Sequence, residues 1–138
     1  MGRVSSTGLT KIGTGTQTLT GTNTYTGGTT LQAGVVQVGN ARALGTGTIS
    51  FVGGTLQYGT GVTQDFSSQF STAANQLLSI DTNGNNVTFA TALTSTGGSL
   101  TKSGSGTLTL IRTNTYTGDT TISGGDPCHW IRRNNCDE

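Results

Sequence analysis

LTKIGTGTQTLTGTNTYTGGTTLQAG, residues 9–34, returns as LTKSGSGTLTLIRTNTYTGDTTISGG at residues 100–125, identical at 17 of 26 positions without a gap. A duplication of this kind marks a repeat protein. One supersecondary unit has been copied, and copies too small to bury their own apolar face must stack on their neighbours. A shorter motif of glycine, a small residue, then apolar-any-apolar recurs at 34–38 (GVVQV), 47–51 (GTISF), 54–58 (GTLQY) and 106–110 (GTLTL). A degraded copy at 15–19 (GTQTL) carries Gln17 at its first apolar position and Leu19 at its second. Alternation with a period of two places Val36, Val38, Ile49, Phe51, Leu56, Tyr58, Leu108 and Leu110 on one face, with Thr, Ser or Gln on the other. These are half-buried strands, each introduced by a glycine turn.

Composition points the same way. Of the 138 residues, 30% are hydrophobic and 9% charged, against roughly 45–50% and about 25% in ordinary globular domains, so a deep globular core is not expected. Thirty threonines and 23 glycines suit stacked short strands, because the branched Cβ favours the pleat while the hydroxyl faces water. Helical spacing of apolar groups is confined to a weak stretch at 73–78.

The strings SLTKSGSGTLTL and TNTYTGDTTISGG, preceded by LLSIDTNGNNVTFATALTSTGG, resemble the passenger-associated transport repeat, also called the autotransporter-associated β-strand repeat. The resemblance covers residues 5–125. It implies an all-β chain wound as a right-handed parallel β-helix, in the passenger of a Gram-negative surface protein exported through an outer-membrane barrel. It also implies a non-catalytic, adhesin-like scaffold at the cell surface or secreted. At roughly 20–25 residues per coil, typical of solenoids, residues 5–125 give about five coils, each with three short strands on separate sheets. The start, MGRVSSTG, has no signal-peptide character, so export is expected of a longer parent.

Charge excludes several partners. A formal net charge of +1, with Lys11, Arg42, Lys102 and Arg112 far apart, forms no stripe for nucleic acid. No apolar run is long enough to span a bilayer as a helix. No cofactor, metal or catalytic group is expected: the single histidine, His129, has no serine or cysteine in a nucleophile-elbow context to serve, and the six carboxylates are dispersed. Two alternatives compete with the scaffold. An ice-binding solenoid would use the alternating Thr16, Thr18, Thr20, Thr22, Thr24 and Thr26, and a carbohydrate-active β-helix would need Asp65, Asp81 and Asp119 on one face.

Three smaller features are read as structural. Asn23 and Asn114, at matched repeat positions, are turn asparagines that bond local backbone, with ligand contact as the alternative. The segment Asp81-Thr-Asn83-Gly-Asn85-Asn86 departs from a calcium loop in its glycine position and lacks the bidentate glutamate, at Ala92, and so reads as a polar turn. Asn86-Val-Thr88 is a glycosylation sequon, given no weight in a chain of bacterial character.

From residue 126 the composition breaks. The tail DPCHWIRRNNCDE holds the only Pro, His and Trp and both cysteines, so 1–125 reads as the solenoid and 126–138 as a segment of foreign origin. Trp130 and Ile131 are the expected apolar cover for the last coil, limiting end-to-end self-association, and Cys128 and Cys136 either close a disulfide loop or stay free. No host or surface ligand follows from the sequence.

Overall fold

A computed structural model of the chain describes residues 7–124. The calls on the tail, including Trp130, Ile131, Cys128 and Cys136, lie outside the described residues. Eleven short strands follow in order: β1 (Leu9–Lys11), β2 (Thr16–Leu19), β3 (Thr29–Leu31), β4 (Val35–Val38), β5 (Ile49–Phe51), β6 (Thr55–Tyr58), β7 (Leu77–Asp81), β8 (Val87–Phe89), β9 (Ser99–Ser103), β10 (Leu108–Leu110) and β11 (Thr120–Ile122). Every ladder between them is parallel. Such strands are only three to five residues long, yet each pairs with its equivalent in at least one neighbouring coil, and the inner strands on both sides, which supplies the backbone partners that a short strand alone lacks.

Three sheets run along the solenoid. The longest has the order β2-β4-β6-β7-β9-β11, a first sheet has β1-β3-β5, and a short one has β8-β10. Six strands on the longest sheet mean six coils, one more than the five expected. Most circuits lie at the short end of the expected length: Leu9 pairs with Thr29 and Thr29 with Ile49, 20 residues each, while the circuit from Leu56 to Ile80 takes 24.

The duplicated unit does not repeat its place around the axis. Leu9–Lys11 lies in the first sheet, whereas its copy, within Ser99–Ser103, lies in the longest sheet; Thr16–Leu19 lies in the longest sheet, whereas its copy, Leu108–Leu110, lies in the short one. The repeat has rotated by one side. The copies lie 91 residues apart, which is not a whole number of circuits: Leu9 regains its own side at Thr29, Ile49 and Phe70, and its copy begins one side further round. The longest circuit joins β6 to β7, where Leu56 pairs with Ile80, 24 residues on. That excursion carries a 3-10 turn at Ser67–Gln69 and touches the first sheet through one bridge, Ile49 to Phe70. Consequently no coil carries ladder strands on all three sides, contrary to the expectation. The 73–78 stretch is turn and strand, not helix.

Inward positions build a single column of side chains. Gln17, Val36, Leu56, Ile80, Lys102 and Ile122 stand in one register row of the longest sheet. Val36, Val38, Ile49, Phe51, Leu56, Tyr58, Leu108 and Leu110 are all buried, as the period of two requires. Leu19 is only half-buried, because β2 is the edge strand of its sheet and no strand pairs beyond it among the described residues. Where the repeat rotates, aromatic rings fill the interior: Phe51 and Phe70 meet edge-on at 5.1 Å, Phe70 and Phe89 at 5.2 Å, and Tyr58 lies 6.0 Å from Phe66. Gln76, buried beside them, accepts the Phe51 N–H at 2.9 Å in place of a ladder carbonyl.

Candidate functional surface

The polar side chains of this solenoid hold coils together. In both copies of the unit a lysine seals a glycine corner. Lys11 Nζ donates to the carbonyls of Ile12 (2.7 Å), Gly13 (2.9 Å) and Ala33 (3.5 Å). Lys102 Nζ donates to those of Ser103 (3.4 Å), Gly104 (2.7 Å) and Gly124 (3.1 Å), the same offsets along the chain. The ammonium thus satisfies carbonyls of its own turn and of the turn one coil on, which the left-handed glycines Gly13 and Gly104 leave pointing at the corner. Lys102 is wholly covered. Burial pushes its ammonium below the ordinary lysine range, and the nearby Asp81 carboxylate opposes that shift.

A second matched pair ties down the loops. Tyr25 OH lies 2.7 Å from Thr29 Oγ1 and Tyr116 OH lies 2.7 Å from Thr120 Oγ1, four residues apart in each copy. Asn23 Nδ2 donates to the Ala43 carbonyl at 2.7 Å, and Asn114 accepts the Leu93 N–H at 2.8 Å while donating to the Arg112 carbonyl at 3.1 Å. Both asparagines therefore bond backbone, and each reaches the neighbouring coil. The 81–86 segment is a turn, with Asn83 and Gly84 left-handed and the Asn83 N–H on Asp81 Oδ1 at 2.9 Å.

The sequence reading missed a ladder on the outer face of the longest sheet. Thr18 Oγ1 donates to Gln37 Oε1 (3.3 Å), Gln37 Nε2 to Gln57 Oε1 (2.7 Å), and Gln57 Nε2 to Asp81 Oδ2 (2.8 Å), one side chain per coil. Thr55 and Ser79 hydroxyls meet at 2.8 Å in the adjacent row. The signal was present, since Gln37 and Gln57 hold the same place in GVVQV and GTLQY. This ladder bears on both alternatives. Threonine pairs are not repeated coil after coil, because Gln37, Gln57 and Asp81 take the row that Thr18 begins. The acids are also separated: Asp65 accepts Ser67 N–H and Ala90 N–H at 2.8 Å each beside the 3-10 turn, Asp81 closes the ladder, and Asp119 stands just before β11. Among the described residues no three His, Cys, Asp or Glu side chains gather as metal donors, no helix is long and apolar enough to cross a membrane, and no buried side-chain nitrogen or oxygen lacks a partner.

These features define a class: a parallel β-solenoid whose matched lysines and asparagines fasten one coil to the next while matched tyrosines tie down its loops. The passenger-associated transport repeat family matches the chain twice, at residues 9–38 and 100–126. It is also 42% identical over 136 residues to the adhesin BmaC autotransporter of Brucella suis biovar 1 (strain 1330), an alignment covering 86% of this chain and 4% of that protein. No solved structure matches the chain.

The lysine corners yield a direct expectation. Lys102→Met should cost about 1–3 kcal/mol, since the Gly104 and Gly124 carbonyls lose their donor at a covered corner, whereas Lys11→Met should cost less because Lys11 is half-exposed. The pH dependence has a sign. A folded-state value below the unfolded one means the unfolded chain binds more protons, so stability rises as pH climbs from the folded value toward about 10.4. Burial, with the Asp65 charge adding to it, raises the Tyr58 phenol well above its ordinary range; the stability this supplies is intact below about pH 10 and is lost above it. Urea midpoints across alkaline pH should therefore rise and then fall in the parent, and the rise should vanish in Lys102→Met.

Proposed function

We propose that this chain is a structural, adhesin-like stretch of an autotransporter passenger, displayed at or released from the surface of a Gram-negative cell. The observation that carries the reading is the uninterrupted six-stranded parallel sheet with its coil-to-coil fasteners, in a chain similar to a named adhesin. Mechanically, each coil templates the next: its edge N–H and C=O groups and its inward side chains are satisfied only when a neighbour stacks, so stiffness accrues along the axis. Surface hydroxyls and amides tied into ladders leave a protease little flexible backbone to seize. Catalysis is not part of this reading, because Asp65 and Asp81 are each engaged by structural donors, Asp65 beside the 3-10 turn and Asp81 in the outer ladder.

The test is display of the chain on an outer-membrane barrel carrier in a non-adherent bacterium. Binding of these cells to epithelial monolayers above that of cells displaying a shuffled sequence supports the adhesin reading, and equal binding overturns it. The scaffold reading is examined separately by limited proteolysis, where a resistant core spanning most of 7–124 is expected and rapid internal cleavage would contradict it.

A further inference from the structure

The turn that enters β8 presents Asn86, Val87 and Thr88 in alternation: Asn86 and Thr88 are exposed and Val87 is buried. The Asn86 carboxamide is anchored by its oxygen alone, which accepts the Thr107 N–H at 3.1 Å, and its nitrogen makes no hydrogen bond among the described residues. Its neighbours differ. Asn85 is buried with both ends engaged, its oxygen on the Gly61 N–H and its nitrogen on the Gly59 and Thr82 carbonyls, each at 2.9 Å; Asn83 donates to the Tyr58 carbonyl at 2.9 Å. The other asparagine whose amide nitrogen is unbonded among the described residues, Asn75, is followed by Gln and Leu, whereas Asn86 has a hydroxyl residue two positions on. Both Asn86 and Thr88 are exposed, so the amide and the hydroxyl face an open surface.

From this coincidence of a bonded oxygen, an unbonded nitrogen, an outward Thr88 and an open surface, we propose that Asn86 is an acceptor for a single N-linked hexose. In the transfer, Asn86 Nδ2 attacks the anomeric carbon of a nucleoside-diphosphate hexose. The new N–C bond forms as the C–O bond to the diphosphate breaks, the nucleoside diphosphate departs with that electron pair, and one amide proton passes to a base on the transferase. The product keeps the carboxamide oxygen, so the bond to Thr107 survives, and the sugar lies on the outer face of the short sheet, away from the core. Buried Asn85, two bonds of its nitrogen already used, offers no such outlet.

The experiment uses the full chain, a soluble bacterial asparagine glucosyltransferase and UDP-glucose, on folded and urea-unfolded protein, read by intact mass and peptide mapping. One hexose on Asn86 is expected, with labelling at least tenfold lower in Thr88→Val and in Asn86→Gln and retained in Thr88→Ser. The hexosylated chain should refold and melt cooperatively within a few degrees of the unmodified one. Absence of hexose on Asn86 in both states, undiminished labelling of Thr88→Val, or loss of the cooperative transition once the sugar is attached would each overturn the proposal.

Discussion

Leu56→Asp should abolish the cooperative unfolding transition of this chain. Leu56 is fully buried in β6, with Val36 and Ile80 as its register neighbours on the coils below and above. Neither neighbour offers a proton donor or a counter-charge. A carboxylate there is stranded unless it stays protonated, and either state costs several kcal/mol, a large share of the roughly 5–15 kcal/mol that holds a domain folded. In a column one side chain wide, damage at the third coil also separates the coils on either side. Thr55→Asp, one residue away and facing out, should cost about 1 kcal/mol, the loss of the hydroxyl contact with Ser79. Thermal unfolding followed by circular dichroism decides the matter: similar melting temperatures for the two variants would refute the register described above.

The second large effect compares two glycines at matched positions of the duplicated unit. Gly13 and Gly104 have nearly the same left-handed backbone, φ +76° and +75°. Their surroundings differ. A Cβ on Gly13 meets nothing within 4 Å, while one on Gly104 collides with Asp81 Oδ1 and approaches the Asn83 backbone nitrogen at 2.7 Å. Gly13→Ala should therefore cost only the left-handed penalty, about 1–2 kcal/mol. Gly104→Ala adds displacement of the Asp81 carboxylate, and with it the bonds to Gln57 and Asn83, for a total of about 3 kcal/mol or more. Urea denaturation of both variants measures the difference, which reports the close stacking of one coil corner on the next. Equal losses would mean that the corner yields freely.

Hydrogen bonding within the duplicated unit explains why two segments 91 residues apart keep such similar text. Leu9-Thr-Lys11 and Leu100-Thr-Lys102 each place a lysine in the last two residues of a strand, where it reaches the following glycine corner, and the Tyr25 and Tyr116 hydroxyls each close on a threonine four residues later. Glycine, lysine, tyrosine and asparagine at those positions are fixed by corner geometry. The strand interiors tolerate exchange, as Gln17 against Leu108 illustrates: on the half-open first coil the inward glutamine reaches solvent, whereas Leu108 is sealed.

What the amino-acid sequence determined by itself was the local grammar. A period of two identified the buried residues in β4, β5, β6 and β10, because a pleated strand alternates its side chains whatever lies around it. The duplicated text implied stacking, and the polar turn at 81–86 was legible because asparagine and glycine supply left-handed backbone at low cost; Asn23 and Asn114 have no left-handed backbone, and each bonds backbone of the neighbouring coil instead. The tertiary structure alone decided where each strand stands around the axis. The rotation of the repeat by one side depends on how many residues each circuit takes, 20 from Leu9 to Thr29 but 24 from Leu56 to Ile80, lengths that carry no meaning until the chain is wound. The same winding sets Thr18, Gln37, Gln57 and Asp81 in one hydrogen-bonded row and brings Asp81 toward Lys102, because contacts along a solenoid are made between residues about one coil apart, and no local pattern records that distance.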